Sequence, residues 1–389
     1  MKLTCQINKF GLPEEVSYLN CAYFSPLLNH IEKIGHEAVS KKKLPYQIGI
    51  ENFFQPVEKL KQNFARLVKV DDHWRIALIP GVSYGIANAV KNISIKSDEN
   101  IVVVADQFPS NIYSWIQKAK QNGSKIKTIF PTTNHPAQGQ SWNENIVSAI
   151  DERTKVVAIA NVHWTDGTLF DLKAIRKKCD NTNSLLIIDG SQSIGALPFS
   201  VEEIKPDALI CAGYKWLLGP YSLGLGYYGK TFDNGTPIEE SWINRSESED
   251  FQNLSNYQDN YKGYAARFNV SESSNFILVP MLAAAIEQLL EWTPDGIQQY
   301  CRTISENAIL ELMDLGCEIE DRSYRANHLF GIRLGSDFDM KKVKKSMVEH
   351  NIYVSFRGNA IRVSPHVYNT KNDFDKLIRC IKSAKKRAT

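Results

Sequence analysis

The chain has 389 residues, 43% of them hydrophobic, and a formal charge of +3. That is globular composition, long enough for one large domain and a smaller one, and too near charge balance to point to nucleic acid or a membrane. Seven cysteines, an odd and scattered set with no CxxC pair, argue against a disulfide framework or a cysteine metal site and for a reducing, cytoplasmic setting. The first sixteen residues carry no apolar core of signal-peptide length, no run reaches membrane-spanning length, and no HExxH-like cluster suggests a metal.

From about Asp71 the chain alternates short apolar runs with helical patterns. "WRIALIP" precedes "GVSYGIANAVKNI", "NIVVVAD" precedes "NIYSWIQKAKQNG", and "TKVVAIANV" precedes "LFDLKAIRKKCDNT". "SLLIID" precedes "GSQSIG", and "DALICAG" follows. Apolar runs without polar alternation fit strands covered on both faces, so the pattern predicts a mainly parallel α/β sheet with right-handed crossovers. The literal GxGxxG at Gly224–Gly229 lacks a strand before it and a helix opening inside it; it reads as a strand, not a dinucleotide loop. Beyond a transition near residues 255 to 280, "PMLAAAIEQLLEW" predicts a helix starting after Pro280. A strand-helix-strand-strand-helix layer follows to the end. The expected division is a large domain over residues 16–260 and a small α+β domain from residues 1–15 and 261–389. The tail "KSAKKRAT" reads as a solvated helix end.

In parallel sheets ligands sit off the carboxyl ends of the strands, so residues just after the apolar runs matter most. Val82 and Ser83 open a helix, where free N–H groups and the dipole suit a phosphate, although Ser83 alone reads as an ordinary N-cap. Phe108 could lie over a planar ligand or simply fill the core. Asn161 offers an amide, with His163 and Trp164 after it. Asp189 ends a fully apolar strand, a costly place for a carboxylate unless it is paired or caps a helix; Gln192 follows. Lys215, in "AGYKWLLGP", sits between aromatics off another apolar run, where an amine loses its proton more easily. Together these parts match the needs of pyridoxal phosphate: an anchored phosphate, a ring stacked on Phe108, Asp189 against the pyridine nitrogen, Asn161 or Gln192 on the ring hydroxyl, and Lys215 as Schiff-base lysine and general base.

The run "LIIDGSQSIGALPFSVEEIKPDALICAGYKWLLGPYSLGLGYYG" resembles the core signature of the class V aminotransferase family of fold-type I pyridoxal-phosphate enzymes, which includes cysteine desulfurases, kynureninases and isopenicillin-N-epimerase-like proteins. The likeness extends from "YLNCAYFSP" to "IRVSPHVYNT". It implies Lys215 as the cofactor-bearing lysine, Asp189 as the ring-nitrogen partner, Gln192 and Asn161 near the ring hydroxyl, and Ser191 as the small residue on the other ring face. It further implies Val82, Ser83 and Tyr214 at the phosphate, with Trp242 as a lesser contributor there. Arg362 matches the arginine that takes the substrate's α-carboxylate, with Arg357 as competitor, and Asn20 and Ala22 match the N-terminal segment lining the substrate pocket. A homodimer with interfacial sites is implied too. The desulfurases carry a nucleophilic cysteine loop before the carboxylate arginine. Here "NIYVSFRGNAIRVS" runs almost directly from strand to strand without a cysteine, which disfavours that activity. The expectation is an enzyme acting on an α-amino acid, aminotransferase-like, with an epimerase or lyase (kynureninase-like or C–S lyase) as the alternative and a non-catalytic binding module as the third reading.

Overall fold

The computed structural model describes residues 2–132, 138–358 and 360–386. Its strands are β1 (Ser17–Tyr18), β2 (Ile76–Ile79), β3 (Asn100–Val104), β4 (Lys125–Ile129), β5 (Thr154–Ala160) and β6 (Leu185–Asp189). They continue with β7 (Ala208–Ala212), β8 (Gly224–Tyr228), β9 (Phe330–Arg333), β10 (Ile352–Tyr353), β11 (Ser355–Arg357) and β12 (Ala360–Val363).

Seven of these form one sheet in the order β2-β8-β7-β6-β5-β3-β4. Only β8 runs against its neighbours. Strands β2, β3, β7 and β8 are buried along their whole length, because helices cover both faces and no side chain has a wet side to face. Each predicted apolar run became one of these strands. Strand β4, "KIKTI", is the exception that periodicity did not reveal. It lies at the sheet's edge with Lys125 and Lys127 on it, and a charged edge strand reads as polar while also discouraging unwanted pairing.

The GxGxxG segment is strand β8, as expected, and its glycines serve close approach between backbones. A Cβ on Gly224 would lie 2.4 Å from the Cys211 carbonyl oxygen, and one on Gly213 2.3 Å from that of Leu223. Gly85 plays the same part for the helix Val82–Lys91, which sits so close on the sheet that a Cβ would meet Ile210 at 2.7 Å.

Helices Asn29–Lys41 and Glu51–Val68 precede the sheet. The helix anticipated after Pro280 begins slightly earlier, at Leu278, and runs to Trp292; proline is tolerated in a first turn, where its missing N–H has no intrahelical partner to lose. The C-terminal layer follows the expected order except that the strand expected after helix Met340–Glu349 divides into β10 and β11: β9, that helix, β10, β11, β12 and helix Lys371–Ser383. Strand β1 pairs in parallel with β10, and Asn20 bridges to Ser364, so the N-terminal segment is tied into this C-terminal layer. Among the described residues no helix is long and apolar enough to cross a membrane.

Candidate active site

The carboxyl ends of β2, β3, β5, β6 and β7 open on one cavity of about 290 Å³. Among its lining residues are Val82, Ser83, Phe108, Asp189, Ser191, Gln192, Tyr214 and Lys215. Eight of the residues proposed from sequence therefore converge, although they span more than 130 positions of chain.

At one end, the helix Val82–Lys91 starts without a side-chain cap. Its N-cap is Gly81, in extended backbone, and a Cβ there would meet nothing within 4 Å. Ser83 lies inside the first turn and is not the cap. The first-turn N–H groups thus face the cavity with the positive end of the helix dipole, a ready anion site. Tyr214, half-buried, lines the same region.

In the middle, Asp189 is 6% exposed, and its Oδ1 accepts the Ser191 N–H at 2.9 Å. Burial raises its pKa, against the opposing pull of Ser191 and the Lys215 charge. No cation forms an ion pair with it among the described residues. Such a carboxylate fits a ligand that brings its own N–H cation, as a pyridinium does. Ser191 Oγ accepts from the Ala212 N–H at 3.1 Å, which holds the serine beside the cavity. Gln192 has both amide atoms committed: Nε2 donates to Ala22 O at 3.1 Å, and Oε1 accepts from Trp216 Nε1 at 2.9 Å.

Lys215 is also 6% exposed, and its Nζ lies 5.1 Å from the Phe108 ring centre and 5.6 Å from that of Tyr214. Burial lowers its pKa to about 8; Asp189 resists this, while Arg362 and Arg357 assist it. The loop from Lys215 to β8 holds Leu218 and Ser222 in left-handed backbone, at φ 54° and 67°. Such conformations are disfavoured for non-glycine residues and persist where surrounding packing dictates them, often at functional sites.

Six predicted residues do not line the cavity: Asn161 and Trp242 face elsewhere, and Asn20, Ala22, Arg357 and Arg362 lie outside it. Asn161 is buried but faces a separate hollow with Asn143, Leu169, Phe170 and Leu197. Side chains alternate along extended chain, so Ala160 and Val162 take the cavity side and Asn161 the other. The residue the alternation delivers is Trp164, whose Nε1 donates to Asp106 O at 2.6 Å and whose ring meets Phe108 edge-on at 5.3 Å. Trp242 is 38% exposed, packs on Phe53 and Phe251, and lines another hollow with Glu240 and Arg245. Within one chain it does not reach the phosphate end.

The substrate-side residues do not line this cavity; Arg362 and Arg357 sit behind Trp164, which does. Arg362 is 2% exposed; Nη1 donates to Trp164 O at 2.8 Å and Nη2 to Ser355 Oγ at 3.2 Å. Its Nε is buried without a partner, and burial, reinforced by Arg357, makes its charge costly. Ser355 Oγ in turn donates to Asn20 Oδ1 at 2.8 Å, and Ala22 N–H donates to Ser364 Oγ at 3.1 Å. Asn20 and Ala22 thus reach the site through the C-terminal layer and through Gln192, respectively. Sequence reading missed Gln107, Ser110, Tyr221 and Ser222, which also line the cavity. The last two precede β8, and the antiparallel direction of that strand brings its beginning, not its end, to this edge of the sheet.

Solved structures of the same fold include a C-DES variant with glycine covalently linked to its pyridoxal phosphate cofactor (TM-score 0.86, 18% identity, covering 97% of this chain and 99% of that one). The cysteine desulfurase CsdA of Escherichia coli is another (TM-score 0.81, 16% identity, 97% and 96% covered). Among curated proteins, an uncharacterized aminotransferase of Bacillus subtilis is 25% identical over 330 residues, 83% of each chain. A probable cysteine desulfurase of Borreliella burgdorferi is 22% identical over 405 aligned positions, covering 95% of this chain and 88% of the other. The family profile for class V aminotransferases matches residues 49–377, and with a match over most of its length the protein belongs to that family, whose cofactor is pyridoxal phosphate.

Proposed function

We propose that the protein is an aminotransferase acting on an α-amino acid. The observation that carries the reading is the placement of Lys215 and Asp189, both buried in one cavity, with Arg362 behind Trp164 and its Nε without a partner. Pyridoxal phosphate, when bound, supplies an electron sink for the bond that breaks at the substrate's Cα. The chain's own residues do the rest. The first-turn N–H groups of Val82 and Ser83 would hold the phosphate, and Phe108 and Ser191 would flank the ring. Asp189 would pair with the ring nitrogen, a pairing that would favour the carboxylate's charge and a proton on that nitrogen. Lys215 would carry the cofactor at rest. As a free amine with a pKa of about 8 it can take a proton at neutral pH and return it at another position. Arg362, with donors to spare, would orient the α-carboxylate.

What speaks against a desulfurase is the hairpin β11–β12, where Arg357 pairs with Ala360 and leaves no room for a cysteine-bearing loop. None of the seven cysteines lines the cavity. Cys211, adjacent in sequence to the lining residue Ala212, is fully buried, with burial pushing its thiol well above the ordinary value, the opposite of a nucleophile's need. All seven are free, which supports a reducing compartment. A homodimer is part of the proposal, supported by exposed aromatic residues at the cavity mouth: Tyr23, Phe24 and Tyr221.

The test is a visible spectrum of the cofactor-loaded protein against a panel of amino acids, with Lys215→Ala as control. Stoichiometric conversion to pyridoxamine phosphate with release of a 2-oxo acid supports transamination. Substrate consumption with the original band restored assigns an epimerase or lyase instead. Full activity in Lys215→Ala would remove the basis of the proposal.

A further inference from the structure

Two guanidinium groups, not one, stand without an ion-pair partner behind Trp164, among the described residues. Strands β11 and β12 pair with Ser355 opposite Arg362 and Arg357 opposite Ala360. Arg357 is two residues from Ser355, so it lies on the same face of the hairpin as Arg362, as a diagonal neighbour. Diagonal neighbours start about 7–8 Å apart at the backbone, within reach of each other's long side chains.

Both arginines are held against one residue. Arg362 donates to the Trp164 carbonyl at 2.8 Å, and the Arg357 guanidinium lies 5.5 Å from the Trp164 ring centre. Trp164 itself lines the cavity. Arg357 Nη1 reaches only the carbonyl of its neighbour Phe356, at 3.1 Å. The Nε atoms of both arginines are buried without partners. Among the described residues neither arginine forms an ion pair with any carboxylate. Asp189, the one carboxylate lining the cavity among the described residues, would be taken by the cofactor ring. Two like charges brought together beside a lysine, with buried donors left over, are costly in the free protein. The arrangement becomes favourable when two anionic groups enter together, each matched to a guanidinium fork.

We infer that the substrate is a dicarboxylic α-amino acid, or the matching 2-oxo dicarboxylate, with its α-carboxylate on Arg362 and its distal carboxylate on Arg357. Arg357 is then the specificity-determining residue and not a rival for the same carboxylate. This rests on the aminotransferase reading for the amino group's fate, but not for the binding itself.

The experiment separates the two. Cofactor-loaded protein is titrated calorimetrically with succinate and glutarate, and with butyrate and valerate as monocarboxylates of matched chain length. Wild type, Arg357→Gln and Arg357→Lys are compared. The expected result is a preference of at least about tenfold for the dicarboxylates, since a charge-assisted fork is gained. That preference collapses in Arg357→Gln and is partly kept in Arg357→Lys. In the reaction, kcat/KM for glutamate and aspartate falls at least about tenfold more in Arg357→Gln than kcat/KM for glutamine and asparagine. A wild-type preference near one, or a preference that survives in Arg357→Gln, overturns the inference. Tighter binding of matched sulfonates or phosphates than of dicarboxylates overturns the carboxylate assignment. If the dicarboxylate preference holds but no amino acid yields pyridoxamine phosphate, the inference stands and transamination fails. If neutral amino acids are transaminated and acidic ones ignored, transamination stands and the inference fails.

Discussion

The proton affinity of Lys215 is the quantity most open to test. Burial takes its pKa down from the ordinary 10.5 to about 8. At pH 7 a lysine of pKa 10.5 is neutral in about 0.03% of molecules, and one of pKa 8 in about 9%, a gain of about 300-fold in the reactive form. The amine attacks a carbonyl only when neutral. The initial rate at which cofactor-free protein takes up pyridoxal phosphate, followed by stopped-flow absorbance, should rise with pH and level off with a midpoint near 8. The neighbours set the direction of two perturbations. Asp189 favours the charged amine, so Asp189→Asn should move the midpoint down; Arg357 disfavours it, so Arg357→Gln should move it up. A wild-type midpoint near 10, or both variants moving the same way, would refute the reasoning that burial and these two charges govern the amine.

Three further outcomes are expected. Phe108→Leu removes the ring that lies 5.1 Å from Lys215 Nζ and should weaken cofactor binding by about 0.5–1.5 kcal/mol beyond the area lost, measured by spectral titration. Gly195→Ala forces a side chain onto a residue at φ 107°, with its Cβ 2.1 Å from Trp216 O; urea unfolding should show a loss above about 1–3 kcal/mol, the cost of the backbone conformation alone. Asp166 is buried, which by itself would raise its pKa, but His163, Arg333 and the Thr168 N–H outweigh this and hold it below the usual carboxylate range. Its stabilisation is therefore complete above the unfolded value of about 4 and is lost as pH falls below that. Asp166→Asn should cost about 3–5 kcal/mol at pH 7 and less at pH 3, by chemical denaturation at each pH.

Much of this molecule can be read from local pattern. Apolar runs without alternation marked five of the seven central strands, because burial on both faces leaves no polar positions, and the glycine-rich segment marked β8. The residues after those runs located Val82, Phe108, Asp189 and Lys215, because a parallel sheet sends its carboxyl ends to one edge. Strand β4 escaped because an edge strand with lysines on it loses the apolar signature.

Other features belong to the tertiary structure alone. Which of Asn161 and Trp164 faces the cavity depends on the pleat at the end of β5, a one-residue question that composition does not answer. Tyr221 and Ser222 reach the site only because β8 runs backwards. The Arg362–Ser355–Asn20 chain joins residues up to 342 positions apart, held by pairing between β11 and β12 and by the N-terminal segment laid along the C-terminal layer. Periodicity reports what one segment buries. It carries no record of which distant segment supplies the partner, and so the second arginine could be named from the sequence but its place beside the first could not.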